Sequence, residues 1–143
     1  MNPQPDSPHP ALGIDHGEAR IGIAATDDFG ILAHPVTTLD ATGDPIEEIA
    51  LLVAARRIRT LVLGLPLRTD GSEGDAAARV RVFGARLARR LPDIPLHYID
   101  ESFTTLSAAD KLREAGRKAK QQKHLIDQAA AVEILNAWLA GLP

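Results

Sequence analysis

The sequence contains no cysteine, only five Phe, Trp and Tyr residues, and no apolar run of the roughly 18 residues that a membrane-spanning helix needs. Without cysteine the chain has no disulfide bond, thiolate metal site or cysteine nucleophile, and it fits a reducing compartment. It also lacks a basic excess, because 16 Lys and Arg against 19 Asp and Glu give a formal net charge of −3. A nucleic-acid partner would therefore have to be bound by a local basic patch.

The length of 143 residues and a hydrophobic content of 45% predict one domain with a single core. Residues 1–10 contain four prolines and neither a basic cluster nor an apolar stretch, so we interpret them as a flexible leader rather than a signal peptide. The folded domain is predicted to span residues 11–143. Because no membrane segment is found, we expect a soluble, cytoplasmic protein.

The first part of the domain has the pattern of an antiparallel meander. Three short apolar runs, at residues 11–15, 21–26 and 31–39, are separated by tight turns that contain glycine. After them the apolar residues recur at helical spacing, with Asp44 as the expected N-cap and Pro45 in the first helical position. This helix is predicted to end near Arg57.

The second part of the domain alternates strands and helices. The predicted elements are a strand at 60–64, a loop at 65–74, a helix at 75–90, a strand at 95–99, a helix from Thr104 or Thr105 to Ala115, and a last helix at 125–140. A meander followed by βαβ units predicts an α/β fold in which a mixed five-stranded sheet is flanked by helices. Trp138 is expected in the core or an interface, because a single aromatic residue is not a platform for stacked bases.

Asp15 ends the first apolar strand, where a core would be expected to continue. Open α/β sheets place ligands at the carboxyl ends of their parallel strands. If the first strand is parallel to the two later strands, Asp15 meets the turn that begins at Gly64 and the pair Asp100-Glu101 at one sheet edge. The alternative is that Asp15 caps the turn through His16 and Gly17, a common role for aspartate.

Asp127 occupies the apolar stripe of the last helix, since Ala130, Ala131, Ile134 and Leu135 follow it at helical spacing. An unpaired charge there would be costly, so we expect a cation, hydrogen-bond donors or a place at the exposed end of the stripe. A first-turn aspartate favoured by the helix dipole is the alternative interpretation.

Glu101 lies between the last predicted strand and two threonines that mark a helix start, where an acid can also act as a cap or be solvated. Three separated carboxylates, Asp15, Glu101 and Asp127, are hard oxygen ligands suited to Mg²⁺ or Mn²⁺. Such a cluster can bind two metal ions and promote in-line attack of water on a phosphodiester.

Basic residues provide candidate phosphate contacts. Residues 116–124 contain no acid and four basic residues: Arg117, Lys118, Lys120 and Lys123. We predict that they form a mobile loop that approaches phosphates. The alternative is that they are an ordinary run of solvated charges. Arg68 lies in a loop whose backbone amides, with the start of the next helix, could form an anion site. The alternative is an ordinary loop between strand and helix that Asp70 or Ser72 caps. Arg20 is placed either to pair with Asp15 or to contact a phosphate. The spacing of His16 and His124 does not indicate a metal-binding or general-base role for either residue.

The ordered motifs of the chain resemble those of the YqgF (RuvX) family. They are Gly13-Ile14-Asp15-His16-Gly17 with Arg20 to Ala24, Gly64-Leu65-Pro66 with Asp70-Gly71-Ser72, Asp100-Glu101 with Thr104-Thr105, and Ile126-Asp127 with Ala130-Ala131 and Ile134-Leu135. The resemblance implies an RNase H-like fold, a relation to Holliday junction resolvases and a nuclease that matures the precursor of small-subunit rRNA at its 5′ end. It assigns the acidic triad to Asp15, Glu101 and Asp127.

By this resemblance Asp15 would bridge two divalent ions, and Glu101 and Asp127 would each complete one coordination shell. Arg20 and the basic stretch would position the phosphate backbone. Two positions depart from the family pattern: Ser102 stands where an Arg is common, and Ala19 where a Lys is common. Both changes remove positive charge beside the site and bear on substrate binding rather than on the metal ligands.

Three other functions remain open at this stage. A Holliday junction resolvase would usually act as a homodimer, so that two strands are cut symmetrically, whereas a nuclease acting on rRNA could be a monomer. Actin-like kinases and ATPases also place an aspartate after a first strand, but they need two such domains. A nucleic-acid or ribosome-associated factor could keep the fold and act only by binding.

Overall fold

The computed structural model describes residues 7–101 and 119–141, with side chains from residue 124 in the second segment. The elements are β1 (Ala11–His16), β2 (Arg20–Thr26), β3 (Ala33–Asp40), α1 (Pro45–Arg56), β4 (Thr60–Leu65), α2 (Asp75–Arg90), β5 (Leu96–Asp100) and α3 (Ala119–Ala140). The helix predicted to end at Ala115 lies outside the described residues.

The five strands form one mixed sheet in the order β3-β2-β1-β4-β5. Strands β1, β2 and β3 pair antiparallel, which confirms the predicted meander. Strand β4 pairs parallel with β1 on one side and with β5 on the other. The carboxyl ends of β1, β4 and β5 therefore lie at the same edge of the sheet, as the sequence predicts.

Helices cover both faces of the sheet. Helices α1 and α2 pack on one face, against side chains that alternate along the central strands: Leu12, Ile14, Ile21, Ile23, Leu61 and Leu63. Helix α3 packs on the other face, where the core consists of Ala11, Ala24, Val62, Ala131, Ile134, Leu135 and Trp138. Strands buried on both faces explain the nearly continuous apolar runs in the sequence. Trp138, only 6% exposed, is a core residue, as expected.

Glycines on the sheet let α3 approach closely. A Cβ atom on Gly13 would lie 2.6 Å from Leu135 Cγ, and one on Gly22 would overlap the backbone carbonyl of Asp127. No side chain fits between the strands and the helix at these two positions. The glycines thus determine how deeply the start of α3, which carries Asp127, sits on the sheet.

Two details of the helix starts differ from expectation. Pro45 is the first residue of α1 and Asp44 is its N-cap, both as predicted, but the side chain of Asp44 makes no capping hydrogen bond. The residue before α2 is Gly74, so neither Asp70 nor Ser72, the two caps considered for this loop, is the N-cap of the helix. Instead Ser72 donates from its backbone N–H and its hydroxyl to Asp70 Oδ1, at 2.9 and 2.6 Å, and the pair closes the loop on itself.

Helix α3 is already present at Ala119, the first described residue of this segment and six residues before the predicted start at residue 125. The prediction of a loop over residues 116–124 is therefore wrong for residues 119–124. These residues are mostly lysine, glutamine and alanine, which are good helix formers, and no glycine or proline interrupts them. None of the described helices is long and apolar enough to cross a membrane.

The last residues of the predicted leader contact the body of the protein. The carbonyl of Pro8 accepts a hydrogen bond from Thr60 Oγ1 at 2.7 Å, and that of Pro10 accepts one from the backbone N–H of Arg59 at 2.8 Å. The ring of His9 packs edge-on against Trp138, with the ring centroids 5.7 Å apart. The region before β1 is thus anchored beside the amino end of β4.

Replacing Gly22 by alanine is expected to lower the free energy of unfolding by roughly 1–3 kcal/mol, since the added methyl group must push α3 off the sheet. Urea denaturation of the purified proteins measures the change. Gly43→Ala is the matched control, because a Cβ there meets its nearest atom at an ordinary 3.5 Å. Equal stability of the two variants would contradict the close approach.

Candidate active site

Asp15 lies near the carboxyl end of β1, in a row of glycines. Its cross-strand partner on β2 is Gly22, and the register that pairs Ile14 with Leu63 brings Gly64 of β4 to its other side. Glycine on both sides leaves the Asp15 carboxylate without large neighbours on its own sheet. Asp15 does more than cap the following turn, because its carboxyl group interacts with those of Glu101 and Asp127 from other parts of the chain.

The first of these groups is Glu101, the residue directly after β5. The carboxyl groups of Asp15 and Glu101 share a hydrogen bond, and a Cβ atom on Gly64 would lie 2.7 Å from Glu101 Oε1. Burial, the charges of Glu101 and Asp127 and this hydrogen bond raise the pKa of Asp15 to about 7. Burial also raises the pKa of Glu101, aided by the charge of Asp100 and opposed by the hydrogen bond. The pair therefore holds a proton readily.

Asp127 comes from the opposite side, on α3. Its Oδ2 accepts a hydrogen bond from Arg20 Nε at 2.8 Å, and its side chain is 17% exposed. Of the three surroundings expected for this acid on the buried stripe, the structure shows a cation. Of the two roles considered for Arg20, the structure pairs it with a carboxylate, but with that of Asp127 rather than that of Asp15.

Asp15, Glu101 and Asp127 thus lie near one another although they come from three separate parts of the chain: β1, the residue after β5, and α3. Within residues 7–101 and 119–141, however, no group of three His, Asp or Glu side chains is close enough together to hold a metal ion. In this arrangement Asp127 pairs with Arg20 while Asp15 is hydrogen-bonded to Glu101. The carboxylates are neighbours with the hard oxygen donors that Mg²⁺ or Mn²⁺ prefers, and they do not form a preassembled cage.

The remaining predicted phosphate contacts are only partly described. Arg68 is exposed in the loop after β4, where its guanidinium lies over Gly74 and donates weakly to Ser72 Oγ at 3.4 Å. Arg117 and Lys118 are outside the described residues. So are the side chains of Lys120 and Lys123, whose backbone belongs to α3.

The two histidines near the site have different surroundings. His16 packs against Phe83 of α2, with ring centroids 4.5 Å apart, and burial followed by the charge of Arg79 lowers its pKa. His124 is exposed, and its carbonyl accepts a hydrogen bond from Thr38 Oγ1 at 3.1 Å. Neither is among the side chains that interact with Asp15.

Sequence reasoning missed the residues that attach α3 to the edge strand. Gln128 Nε2 donates to Thr38 Oγ1 at 3.1 Å, next to the hydrogen bond from Thr38 to the His124 carbonyl. It also overlooked Gly22 and Gly64 as spacers beside Asp15. A signal for the glycines was available, because glycine inside a strand often marks the close approach of another backbone.

The chain matches the family model described as "RuvX: Holliday junction resolvase" over residues 9–141. It is 45% identical over 124 residues to a Cutibacterium acnes protein, covering 87% of this chain and 78% of the relative. It is 43% identical over 136 residues to a Nocardia farcinica protein, covering 90% and 76%. Both relatives are named "Putative pre-16S rRNA nuclease".

Among solved structures, the chain is similar to T. thermophilus RuvC in complex with a Holliday junction substrate. The TM-score is 0.58 at 14% sequence identity, and the match covers 91% of this chain and 93% of the other. At this identity the likeness shows the fold, and it confirms the RNase H-like architecture that the motifs predict.

The charge of Asp15 should make the protein less stable as the pH rises. Because its pKa is raised from 3.8 to about 7, the folded state binds more protons than the unfolded chain between these values. Asp15→Asn removes this penalty, so the variant should exceed wild type by roughly 2–4 kcal/mol at pH 8 and by little at pH 4. Urea denaturation of the two proteins at pH 4 and at pH 8, in buffer that contains EDTA, measures these stability differences.

The matched control is Asp44→Asn, which makes the same chemical change at an exposed carboxylate without a capping hydrogen bond. The dependence of stability on pH is compared between the two variants. A stability difference for Asp15→Asn that does not grow between pH 4 and pH 8 would contradict the burial of this charge.

Proposed function

Because the chain belongs to the RuvX family, we propose that it is a nuclease that hydrolyses phosphodiester bonds in the maturation of the pre-16S rRNA 5′ end, in the cytoplasm. The observation that carries the proposal is the gathering of Glu101 and Asp127 around Asp15 at the carboxyl edge of the sheet. The names of the two relatives support RNA as the substrate. Hydrolysis joins the oxygen of water to phosphorus and breaks the bond to the 3′ oxygen, which leaves as a hydroxyl.

The donor set of the site supports dependence on Mg²⁺ or Mn²⁺. Asp15, Glu101 and Asp127 would hold the ions, with Asp15 between the other two acids. Bound divalent ions lower the pKa of a water molecule and stabilise the charge on a leaving oxygen. The raised pKa of Asp15 fits this role, because three carboxylates that repel one another gain most when a cation neutralises them.

The residues beside the carboxylates have separate tasks. Gly22 and Gly64 let Asp127 and Glu101 come close to Asp15, because a Cβ atom on either glycine would meet one of these two residues. Arg20, whose side chain is 35% exposed, holds Asp127 and also presents its guanidinium at the edge that the substrate must reach. The further proposed substrate contacts are Arg68, Arg117, Lys118, Lys120 and Lys123.

Junction resolution is the second candidate function, because the matching family model carries that description. It uses the same hydrolytic chemistry, but symmetrical cutting of two strands requires two sites and hence a homodimer. Cleavage assays on an RNA spanning the 5′ end of pre-16S rRNA and on a four-way DNA junction separate the two functions. Cleavage of the junction alone would replace the rRNA proposal.

Asp15→Asn, Glu101→Gln and Asp127→Asn are each expected to lower the rate of RNA cleavage by about 100-fold or more, since each removes a charge from the proposed metal site. Single-turnover rates with Mg²⁺ and with Mn²⁺ measure the loss. Asp44→Asn is the matched control and should keep the wild-type rate. If all four variants cleave equally, the activity does not use these carboxylates.

Divalent ions should also stabilise the protein. Mg²⁺ at ten times its dissociation constant should add about 1.4 kcal/mol to the free energy of unfolding at pH 8, and EDTA should reverse the gain. Thermal unfolding of wild type and Asp44→Asn should show the shift, whereas Asp15→Asn should show little of it. An identical shift in all three proteins would place ion binding elsewhere.

A further inference from the structure

A shallow groove of about 360 Å³ lies on the face of the sheet opposite to the carboxylates. Its lining combines the end of β1 with one side of α2: His16, Ala78, Arg79, Val82, Phe83 and Arg86. The function proposed above uses none of these side chains. They border the same strand end that carries Asp15.

The floor of the groove is apolar and open to solvent. Val82 is 63% exposed although it lies in the middle of α2, and beneath it the buried Phe83 packs against the ring of His16. A single exposed apolar side chain is common on a surface. Here it is next in sequence to Phe83, whose ring contacts that of His16, and the groove lining thus combines apolar and aromatic groups against which a base can pack.

The rim of the groove is positively charged. Helix α2 carries five arginines and one aspartate in 16 residues. Arg81 and Arg90 are each held by a glutamate through two hydrogen bonds, and both lie away from the groove. Within residues 7–101 and 119–141, Arg86 has no carboxylate partner. As far as the described part of the chain goes, the groove therefore offers a guanidinium without a carboxylate beside it.

Arg79, the other basic residue of the rim, is paired with Glu18 at 3.0 Å. Both side chains are largely exposed, at 48% and 75%, and an exposed pair of this kind contributes little stability. A phosphate can replace the Glu18 carboxylate at small cost. The rim can thus offer two guanidinium groups to an anionic ligand, and guanidinium binds phosphate well.

The position of the groove relates it to the proposed catalytic site. Asp15 and His16 are consecutive in β1, so their side chains point to opposite faces of the sheet. A nucleic-acid strand that passes the carboxylates and crosses the sheet edge over the β1–β2 turn would reach the groove within a few nucleotides.

We propose that this groove binds single-stranded RNA next to the cleaved bond, with a base resting on Val82 and His16 and phosphates bound by Arg79 and Arg86. This rests on the proposed nuclease function. Charge complementarity argues for RNA over a second copy of the chain, because two copies meeting through this face would bring like-charged arginines together. Bases rest on apolar and aromatic surfaces, while arginines bind the backbone.

The test is RNA binding without cleavage, by fluorescence anisotropy of a labelled 20-nucleotide single-stranded RNA in EDTA. Arg86→Gln should weaken binding roughly 3- to 10-fold and reduce the slope of log K against log salt by about one. Val82→Ser, which changes no charge, should weaken binding roughly 2- to 5-fold at an unchanged slope. Arg89→Gln, which removes a guanidinium outside the groove lining, is the matched control and should change binding less than 2-fold.

The outcomes separate this proposal from the nuclease proposal, since binding in EDTA does not depend on cleavage. Unchanged binding by both Arg86→Gln and Val82→Ser would overturn the groove whatever the cleavage assays show. Equal weakening by Arg86→Gln and Arg89→Gln would also overturn it, because it would indicate diffuse attraction. A dimer in sedimentation analysis that Arg86→Gln converts to a monomer would make the groove an interface between copies.

Discussion

The close approach of α3 to the sheet is the constraint on which the candidate site depends. The backbone of Asp127 lies so near Gly22 that even a methyl group would not fit between them. Because Gly22 is also the cross-strand partner of Asp15, the same contact brings the Asp127 and Asp15 side chains to neighbouring positions. A helix held farther out by a larger residue would leave Asp127 away from the other two carboxylates.

The candidate site places several negative charges together in a largely buried position, where a charged group loses its hydration. Burial and mutual repulsion raise the pKa of Asp15, and a hydrogen bond to Glu101 and the ion pair between Arg20 and Asp127 relieve part of the repulsion. Clusters of this kind are common at functional sites, where stability is sacrificed for chemistry. The apolar core on both faces of the sheet supplies the stability that makes such a cluster tolerable.

The alternation of side chains along β1 gives the end of this strand two different surroundings. Asp15 faces α3 and the other acids, whereas His16, the next residue, faces α2 and its arginines. Acidic and basic surfaces are thereby kept on opposite faces of the sheet but meet at one edge. In a protein with a formal net charge of −3, basic side chains are thus concentrated locally on the α2 side of the sheet.

Local signals were enough to predict the mixed sheet and the direction of its strands, because alternating apolar residues and turn glycines are short-range patterns; the ordered motifs singled out Asp15, Glu101 and Asp127 as the candidate acids. The sequence did not reveal that α3 is already present at Ala119, since the same basic residues suit a loop and a helix. Tertiary structure alone decided that Arg20 pairs with Asp127, 107 residues away, and Asp15 with Glu101. Such partners depend on how deeply a helix sits on glycines of other strands, and no local pattern encodes that distance.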